Sequence, residues 1–340
     1  MVRTAAIALL GALCTLAACD AVAQGNSKDK KFVVAAPGIP PVFASAILYV
    51  ADKEGMFKKY GVDVEIRPFE TGATASRAVI SGDIEMSLSP TALLISQVSN
   101  TNAPIVAVYG LVSSDFLLAS TDPAKTACND LIGQPVGVDA IGGARSIALR
   151  TMLNGGCNGM KLEQVQQIPL SSNVAPALIA GQLKFGVVHL DDVATIEAQG
   201  MKVYTLMTEH KANPNGHYLS FIVRQDKLKE NRDTYLRVMA ALIEAARFIR
   251  DPKNADRVGE DAMPTGHSKE ISKATIKPLI AMDYWPADSD GLDQKRFDYM
   301  MGVVQRTGGI QPGKGPASYD RLTDETVFRD ALAMVNGAGK

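Results

Sequence analysis

The sequence predicts an α/β protein of two similar lobes, and three observations carry that expectation. The stretch VDVEIRPFETGATASRAVISGDIEMSLSPTALLISQ, Val62 to Gln97, reads as strand, helix, strand, helix. The same pattern returns at Val174 to Gln199, VAPALIAGQLKFGVVHLDDVATIEAQ, so that Gly82 and Gly181 align. The chain after Val223 is helical in pattern to its end. A repeat of about 100 residues suits two lobes and not a solenoid, whose period is shorter.

In the first unit Val62, Val64 and Ile66 alternate with charged residues, the period of a strand with one buried face. Thr71-Gly72 turns the chain into a short helix over Ala73 to Ile80. Gly82-Asp83 then opens the apolar run Ile84 to Leu88, and Ser89-Pro90 reads as a cap residue followed by proline at the first helical position. Such a crossover demands a parallel strand pair. Helix N-termini near Thr71 and Ser89 then sit at the carboxyl ends of strands, where open α/β sheets bind ligands through free backbone N–H groups.

Elsewhere in the first half, Phe32 to Ala36 reads as a strand, and a helix is expected from Val42 to about Lys58. Ile105 to Tyr109 and Phe116 to Ala119 are further strands, and Asp122-Pro123 is the expected first crossing between lobes. The second lobe contains strands at Val136 to Val138 and Phe185 to Val188. Asn213-Pro214-Asn215-Gly216 marks the return crossing, with a strand at His217 to Val223. In the tail, Tyr235, Met239, Leu242, Ala246 and Ile249 share one helix face. Ser268 caps a further helix, another runs from Asp290-Gly291 to Gly308-Gly309, and Asp324 to Val335 forms a last one. The expected division is residues 1–23 as a signal peptide, 31–118 plus 217–340 as lobe 1, and 122–212 as lobe 2.

Composition narrows the class. The chain has 340 residues, 46% hydrophobic and 21% charged, with a net charge of −1. That balance supplies a full core and offers no electrostatic footprint for nucleic acid. Ala5 to Ala18 is an apolar run behind one cation, too short to span a bilayer, and reads as an export signal. Two cleavage readings stand side by side. Ala21-Val22-Ala23 before Gln24 fits ordinary signal peptidase, whereas Leu16-Ala17-Ala18-Cys19 fits a lipobox that leaves Cys19 lipidated. Export places Cys128 and Cys157 in an oxidising compartment. They flank one strand-helix unit, which favours a disulfide over two buried thiols.

Several enzyme signals fail. His189, His210, His217 and His267 show no metal-ligand spacing, and no G-x-S-x-G elbow occurs. Gly308 to Lys314 satisfies G-x-x-x-x-G-K, but Gly315 stands where a Ser or Thr is required, so it reads as a loop. What remains is a set of polar and glycine-rich turns at strand ends. Pro41, Phe43, Thr71, Gly72, Ser89, Pro90 and Thr91 come from the first lobe. Gly142, Gly143, Arg145, Ser172, Asn173, His189 and Asp191 come from the second, and Tyr218 from the return crossing. Arg145 opposes the dipole of the helix it begins, at a cost of about 0.3–1 kcal/mol. Either an anionic ligand or an acidic neighbour would account for it. Tyr218 either covers a ligand or packs in the core.

These residues lead to a resemblance. ILYVADKEGMFKKYGVDVEI, ATASRAVISGDIEMSLSPTALL, DLIGQPVGV and AGQLKFGVVHLDDVATIEAQG resemble the solute-binding proteins of bacterial ABC importers of the nitrate/sulfonate/taurine type, relatives of the thiamine-pyrimidine-precursor binding proteins. The second-lobe match departs from the usual Asp-Ala after its glycine, where Lys184-Phe185 stands here. The resemblance implies a periplasmic-binding-protein fold of type II, with two mixed sheets flanked by helices and a two-strand hinge. It also implies a non-catalytic, monomeric periplasmic component that needs no cofactor or metal. Such a protein clamps a small molecule, expected to be an anionic sulfonate or carboxylate or a heterocycle, and delivers it to a membrane permease and its ATPase. The alternatives are a pyrimidine-precursor synthase using pyridoxal phosphate and a sensory protein feeding a receptor. The export reading makes a direct prediction. Mass spectrometry of the mature product should find Gln24, or lipidated Cys19, at the N-terminus, and an intact Met1 would overturn it.

Overall fold

The computed structural model describes residues 31–171 and 173–337. The signal peptide, Cys19 and Ser172 lie outside these residues. Two five-stranded mixed sheets organise the molecule. The first contains β1 (Phe32–Pro37), β2 (Val64–Phe69), β3 (Met86–Pro90), β4 (Ile105–Leu111) and β10 (Leu219–Arg224). The second contains β5 (Leu117–Ser120), β6 (Pro135–Val138), β7 (Gln166–Pro169), β8 (Phe185–Val188) and β9 (Tyr204–Thr208). Their orders, β2-β1-β3-β10-β4 and β7-β6-β8-β5-β9, are the same pattern drawn twice. β1 runs parallel to β2 and β3, as β6 does to β7 and β8. In each sheet the fourth strand is antiparallel and arrives from the other lobe: β10 between β3 and β4, β5 between β8 and β9.

β1 shows why these residues make a central strand. All six are buried, and alternate side chains feed opposite faces. Phe32, Val34 and Ala36 enter a core with the long helix Arg232–Arg250, while Val33 and Ala35 enter a second core with the helices Gly72–Ser81 and Thr91–Thr101. The apolar stripe of the long helix lies where its periodicity predicts, and Tyr235 meets Phe32 edge-on at 4.9 Å. Fully burying side chains such as Ile47, Leu48 and Leu242 contributes about 1.5–3 kcal/mol each. The first lobe therefore keeps the helical tail because the tail covers one face of its sheet.

Three sequence expectations move. The helix predicted from Val42 to Lys58 is a turn at Phe43–Ser45, then Ala46–Lys53 and Met56–Lys59, broken at Gly55 in the left-handed region at φ 69°. β2 begins two residues late and runs through Pro68, which its position at the sheet edge tolerates. The first crossing is Val112 to Phe116 and not Asp122-Pro123, so Leu117 and Leu118 belong to the second sheet. An apolar four-residue strand carries no mark of which sheet it joins, and antiparallel pairing with β8 and β9 decides it.

Cys128 and Cys157 are bridged, with sulfurs 2.03 Å apart, and Cys157 lies in the second-lobe core. The bridge closes a loop across 29 residues, which restricts the unfolded chain. Cys128→Ser/Cys157→Ser should lose about 2–4 kcal/mol in urea unfolding. An unchanged midpoint would mean that the bridge contributes nothing.

Candidate ligand-binding cleft

The two crossings run side by side and floor a cavity of about 210 Å³. Val112, Ser114 and Phe116 come from the first crossing. Glu209, His210 and Asn213 come from the short helix Glu209–Ala212 and its end, and Gly216 to Leu219 follow from the return. Pro90 and Ala92 add the N-terminus of the helix Thr91–Thr101, Ala144 and Ile147 that of the helix Ala144–Gly156, and Met300 the tail. Two of the helix starts expected at the cleft thus line one cavity. The third sits beside it, since a Cβ on Gly72 would fall 2.8 Å from the Pro90 ring.

The floor is fixed by His217. Its Nε2 lies 2.9 Å from the Gly291 carbonyl and its Nδ1 2.8 Å from Thr91 Oγ1, which is 2.8 Å from Ser220 Oγ. Burial lowers the pKa of His217 to about 4, the carbonyl opposing only in part, so the ring is neutral. Nε2–H then donates to Gly291, and Nδ1 accepts from Thr91, whose oxygen accepts from Ser220. Gly110 makes room for this, because a Cβ there would lie 2.5 Å from His217 Nε2. The hydroxyl of Thr91, expected to meet a ligand, is therefore committed to the floor.

Behind Phe116 and Tyr218 lies a buried ionic network that joins the lobes. His189 Nδ1 is 3.1 Å from Asp115 Oδ1, and its ring packs on Phe116 at 4.0 Å. Arg145 Nη2 is 2.7 Å from Asp192 Oδ2, which also accepts from the His189 backbone N–H at 3.0 Å. Asp191, at the start of the helix Leu190–Ala198, is 2.9 Å from Nε2 of His267, a residue of the tail beside the first lobe. Burial opposes charge on His189, but Asp115 outweighs it and raises the pKa. Burial likewise opposes ionisation of Asp191, yet His267, His189 and Arg145 hold it below the usual carboxylate range. Asp115, His189 and Asp191 bring potential metal-ligand atoms within 4.8 Å of one another. As they stand, each of the three is engaged with an oppositely charged partner.

Among the expected site residues, Pro90 and Tyr218 line the cavity, and Arg145, His189 and Asp191 belong to the network. Arg145 Nη2 meets Asp192, the acidic neighbour that was one of its two expected accounts, while its Nε is buried without a hydrogen-bond partner. Ser89 is buried against the Ser87 hydroxyl. Thr71 forms a capping box with Thr74 on the surface, and Pro90 is the residue before the helix and not its first turn. Pro41 and Phe43 are buried, Phe43 beneath His267 at 5.9 Å. Gly142 and Asn173 are exposed, and the carboxylate of Asp139 occupies the space where Gly143 would carry a Cβ. Sequence reasoning missed Ser114, Asp115, Glu209, Asn213 and His267. The polar run Ser113-Ser114-Asp115 between two apolar strands was the available signal for the first two. Nothing local distinguishes His267.

Two mixed sheets, each completed by a strand from the other and enclosing a cavity at the crossings, define a two-lobed binding-protein architecture. The chain belongs to the NMT1/THI5-like family, whose model matches residues 42–255. A Brucella abortus protein provisionally named as a binding protein, BAB2_1146, is 28% identical over 213 residues, 62% of this chain and 65% of the relative. The match thus spans just under two thirds of that curated relative's length. Among solved structures, the periplasmic aliphatic sulphonate binding protein SsuA of Escherichia coli superposes with a TM-score of 0.66 at 14% identity, covering 88% of this chain and 99% of that one. The periplasmic nitrate-binding protein NrtA of Synechocystis gives 0.65 at 16% identity over 90% and 89%. The zinc-bound ligand-binding component of an ABC-type import system from Staphylococcus aureus gives 0.67 at 14% identity over 89% and 99%. These likenesses establish the fold.

The bond from Asp191 to His267 yields a pH prediction. Burial opposes the charge of His267, but the hydrogen bond and charge of Asp191 and the charge of Asp192 outweigh it and raise its pKa. A raised histidine stabilises fully below its unfolded value near 6.5, and that contribution is lost as pH rises through the folded value. A lowered Asp191 stabilises above about 3.9 and loses this as pH falls through its folded value. The link is therefore strongest from about pH 4 to 6.5. Between pH 6 and 9 the melting temperature of the native protein should fall more than that of His267→Gln. Parallel profiles would sink the assignment.

Proposed function

We propose that the chain is the extracytoplasmic solute-binding component of an ABC importer, taking a small organic molecule between its lobes and delivering it to a membrane permease driven by an ATPase. The observation that carries this is the position of the cavity. It is walled by helix N-termini and floored by the two crossings, so that occupancy and lobe closure are coupled. The family membership supports the same reading, as do the structural neighbours, which are binding proteins for nitrate, for aliphatic sulphonates and in an ABC-type import system. No helix of the described residues is long and apolar enough to cross a membrane. The apolar run Ala5 to Ala18, read as an export signal, supports a periplasmic location, free or held through Cys19, and the proposal takes the protein to be a monomer.

Binding without catalysis is the reading the residues favour. A pyridoxal phosphate enzyme needs a lysine beside its cofactor, and among the described residues no lysine lines the cavity. The expected ligand classes stay a sulfonate, a carboxylate or a heterocycle: Arg145 is engaged by Asp192 through Nη2 with its Nε unpartnered, and two helix N-termini still line the cavity.

The test is direct. Protein purified natively, then denatured, should release close to one small organic molecule per chain. Ile147→Trp, which fills the cavity from an exposed position, should release little while retaining its melting curve. A native preparation that carries no molecule, and whose radius of gyration no solute changes, would refute the proposal.

A further inference from the structure

Three potential metal ligands converge where the first crossing meets the second lobe. Asp115 comes from the crossing, and His189 and Asp191 from the start of the helix Leu190–Ala198. One ligand atom from each lies within 4.8 Å of the others, and His189 Nδ1 stands 3.1 Å from Asp115 Oδ1. Around a tetrahedral ion with bonds of about 2.0–2.1 Å, neighbouring ligand atoms are about 3.3 Å apart. The histidine and Asp115 are therefore already at coordination spacing. The widest pair needs side-chain movement of about 1.5 Å at most.

Two further observations set this cluster apart from an ordinary set of ion pairs. Asp191 spends Oδ2 on His267 Nε2 at 2.9 Å, while its Oδ1 is buried with no hydrogen-bond partner. A buried carboxylate oxygen without a donor is costly and calls for an occupant. The ligating groups are also held from behind, as metal ligands are. The Tyr284 hydroxyl approaches Asp115 Oδ1 at 3.4 Å, the Leu190 N–H approaches its Oδ2 at 3.5 Å, and Phe116 packs on the His189 ring. Charge agrees with this. With both histidines neutral, the three carboxylates of Asp115, Asp191 and Asp192 against the one guanidinium of Arg145 leave two negative charges. In the ion pairs two imidazole protons balance them, and a divalent ion does so equally. Arg145 holds Asp192 through Nη2 and makes no hydrogen bond through Nε, so it bears on the site as half of a pair. Glu209, bound by Ser114, adds to the negative side when ionised, and His210 lies 3.4 Å from Ser113 Oγ.

We infer that Asp115, His189 and Asp191 form a binding site for a divalent transition ion of the zinc type, with His267 and Tyr284 orienting its two carboxylates. The ion takes the place of the proton between His189 Nδ1 and Asp115 Oδ1, and the neutral ring keeps its other proton on Nε2. One imidazole nitrogen with two carboxylate oxygens suits zinc. Calcium and magnesium, which prefer shells made of oxygen alone, fit less well. Three protein atoms leave a fourth position to water or to another ligand. His189 and Asp191 belong to the second lobe, whereas His267 and Tyr284 belong to the tail beside the first, so the ion joins the lobes. The inference goes beyond the solute-binding reading and does not depend on it.

The experiment titrates the full mature protein, stripped with EDTA and dialysed, with zinc chloride in calorimetry and thermal shift. Calcium and magnesium chloride serve as comparisons. Zinc should bind at one ion per chain and raise the melting temperature, and the other two should do neither at the same concentration. His267→Gln, which removes an orienting partner, should weaken zinc binding about 10- to 100-fold. His189→Gln and Asp191→Asn, which each remove a ligand, should weaken it at least as much. The His267 variant keeps the inference testable if a ligand variant folds poorly. No zinc binding by the native protein would overturn the inference, and so would calcium binding as tight as that of zinc. Zinc binding of equal strength in all three variants, the mark of adventitious surface sites, would overturn it too. Each of these failures leaves the solute-binding reading to its own test, the release of an organic molecule from native protein, which needs no metal.

Discussion

The antiparallel insertion of β10 between β3 and β4 is the constraint on which the rest depends. A sheet grown only from crossover units would stay parallel and belong to one segment of chain. Here the pairing of Leu219 to Arg224 with both neighbours requires the chain to leave the first sheet, build the second and come back. The reciprocal insertion of β5 ties the second sheet in the same manner. The two linkers must then lie together, and they place Ser114, Glu209 and Tyr218 in one cavity although almost a hundred residues separate the first two. Backbone pairing, not side-chain attraction, assembles the site.

The charged groups behind that cavity show what closing such a site costs. Desolvating isolated ions is expensive, and their attraction repays this only when every partner is present. Arg145 pairs with Asp192, His189 with Asp115 and Asp191 with His267, although Arg145 Nε and Asp191 Oδ1 are buried without a hydrogen-bond partner. The cluster is therefore weak as a source of net stability and strong as a source of specificity. It disfavours any arrangement of the lobes that breaks one pair, because the abandoned ion would remain buried.

The fold was largely legible in the sequence, for a physical reason. The runs Phe32 to Ala36 and Phe185 to Val188 are buried on both faces and carry their own pattern, and Gly82 and Gly181 mark helix ends with positive φ. The repeat of strand order follows from these local signals. The site was less legible. Helix starts at Pro90 and Ala144 were foreseen because they are local features. Asp115, Glu209 and His267 were not, because each acquires its meaning from partners that are distant in sequence. Arg145 was flagged correctly as an oddity against its helix dipole, but its countercharge, Asp192, lies 47 positions on.

Glu209 and Asn213 bracket the short helix that carries the chain back between the lobes. On the binding reading, the part that bends as the lobes open is thus also part of the wall that holds a solute. A grip and a joint made from the same few residues cannot be tuned apart: loosening one shifts the resting angle of the other. Selection for faster unloading would act on the same side chains as selection for a different cargo, so pace and choice would evolve as one trait.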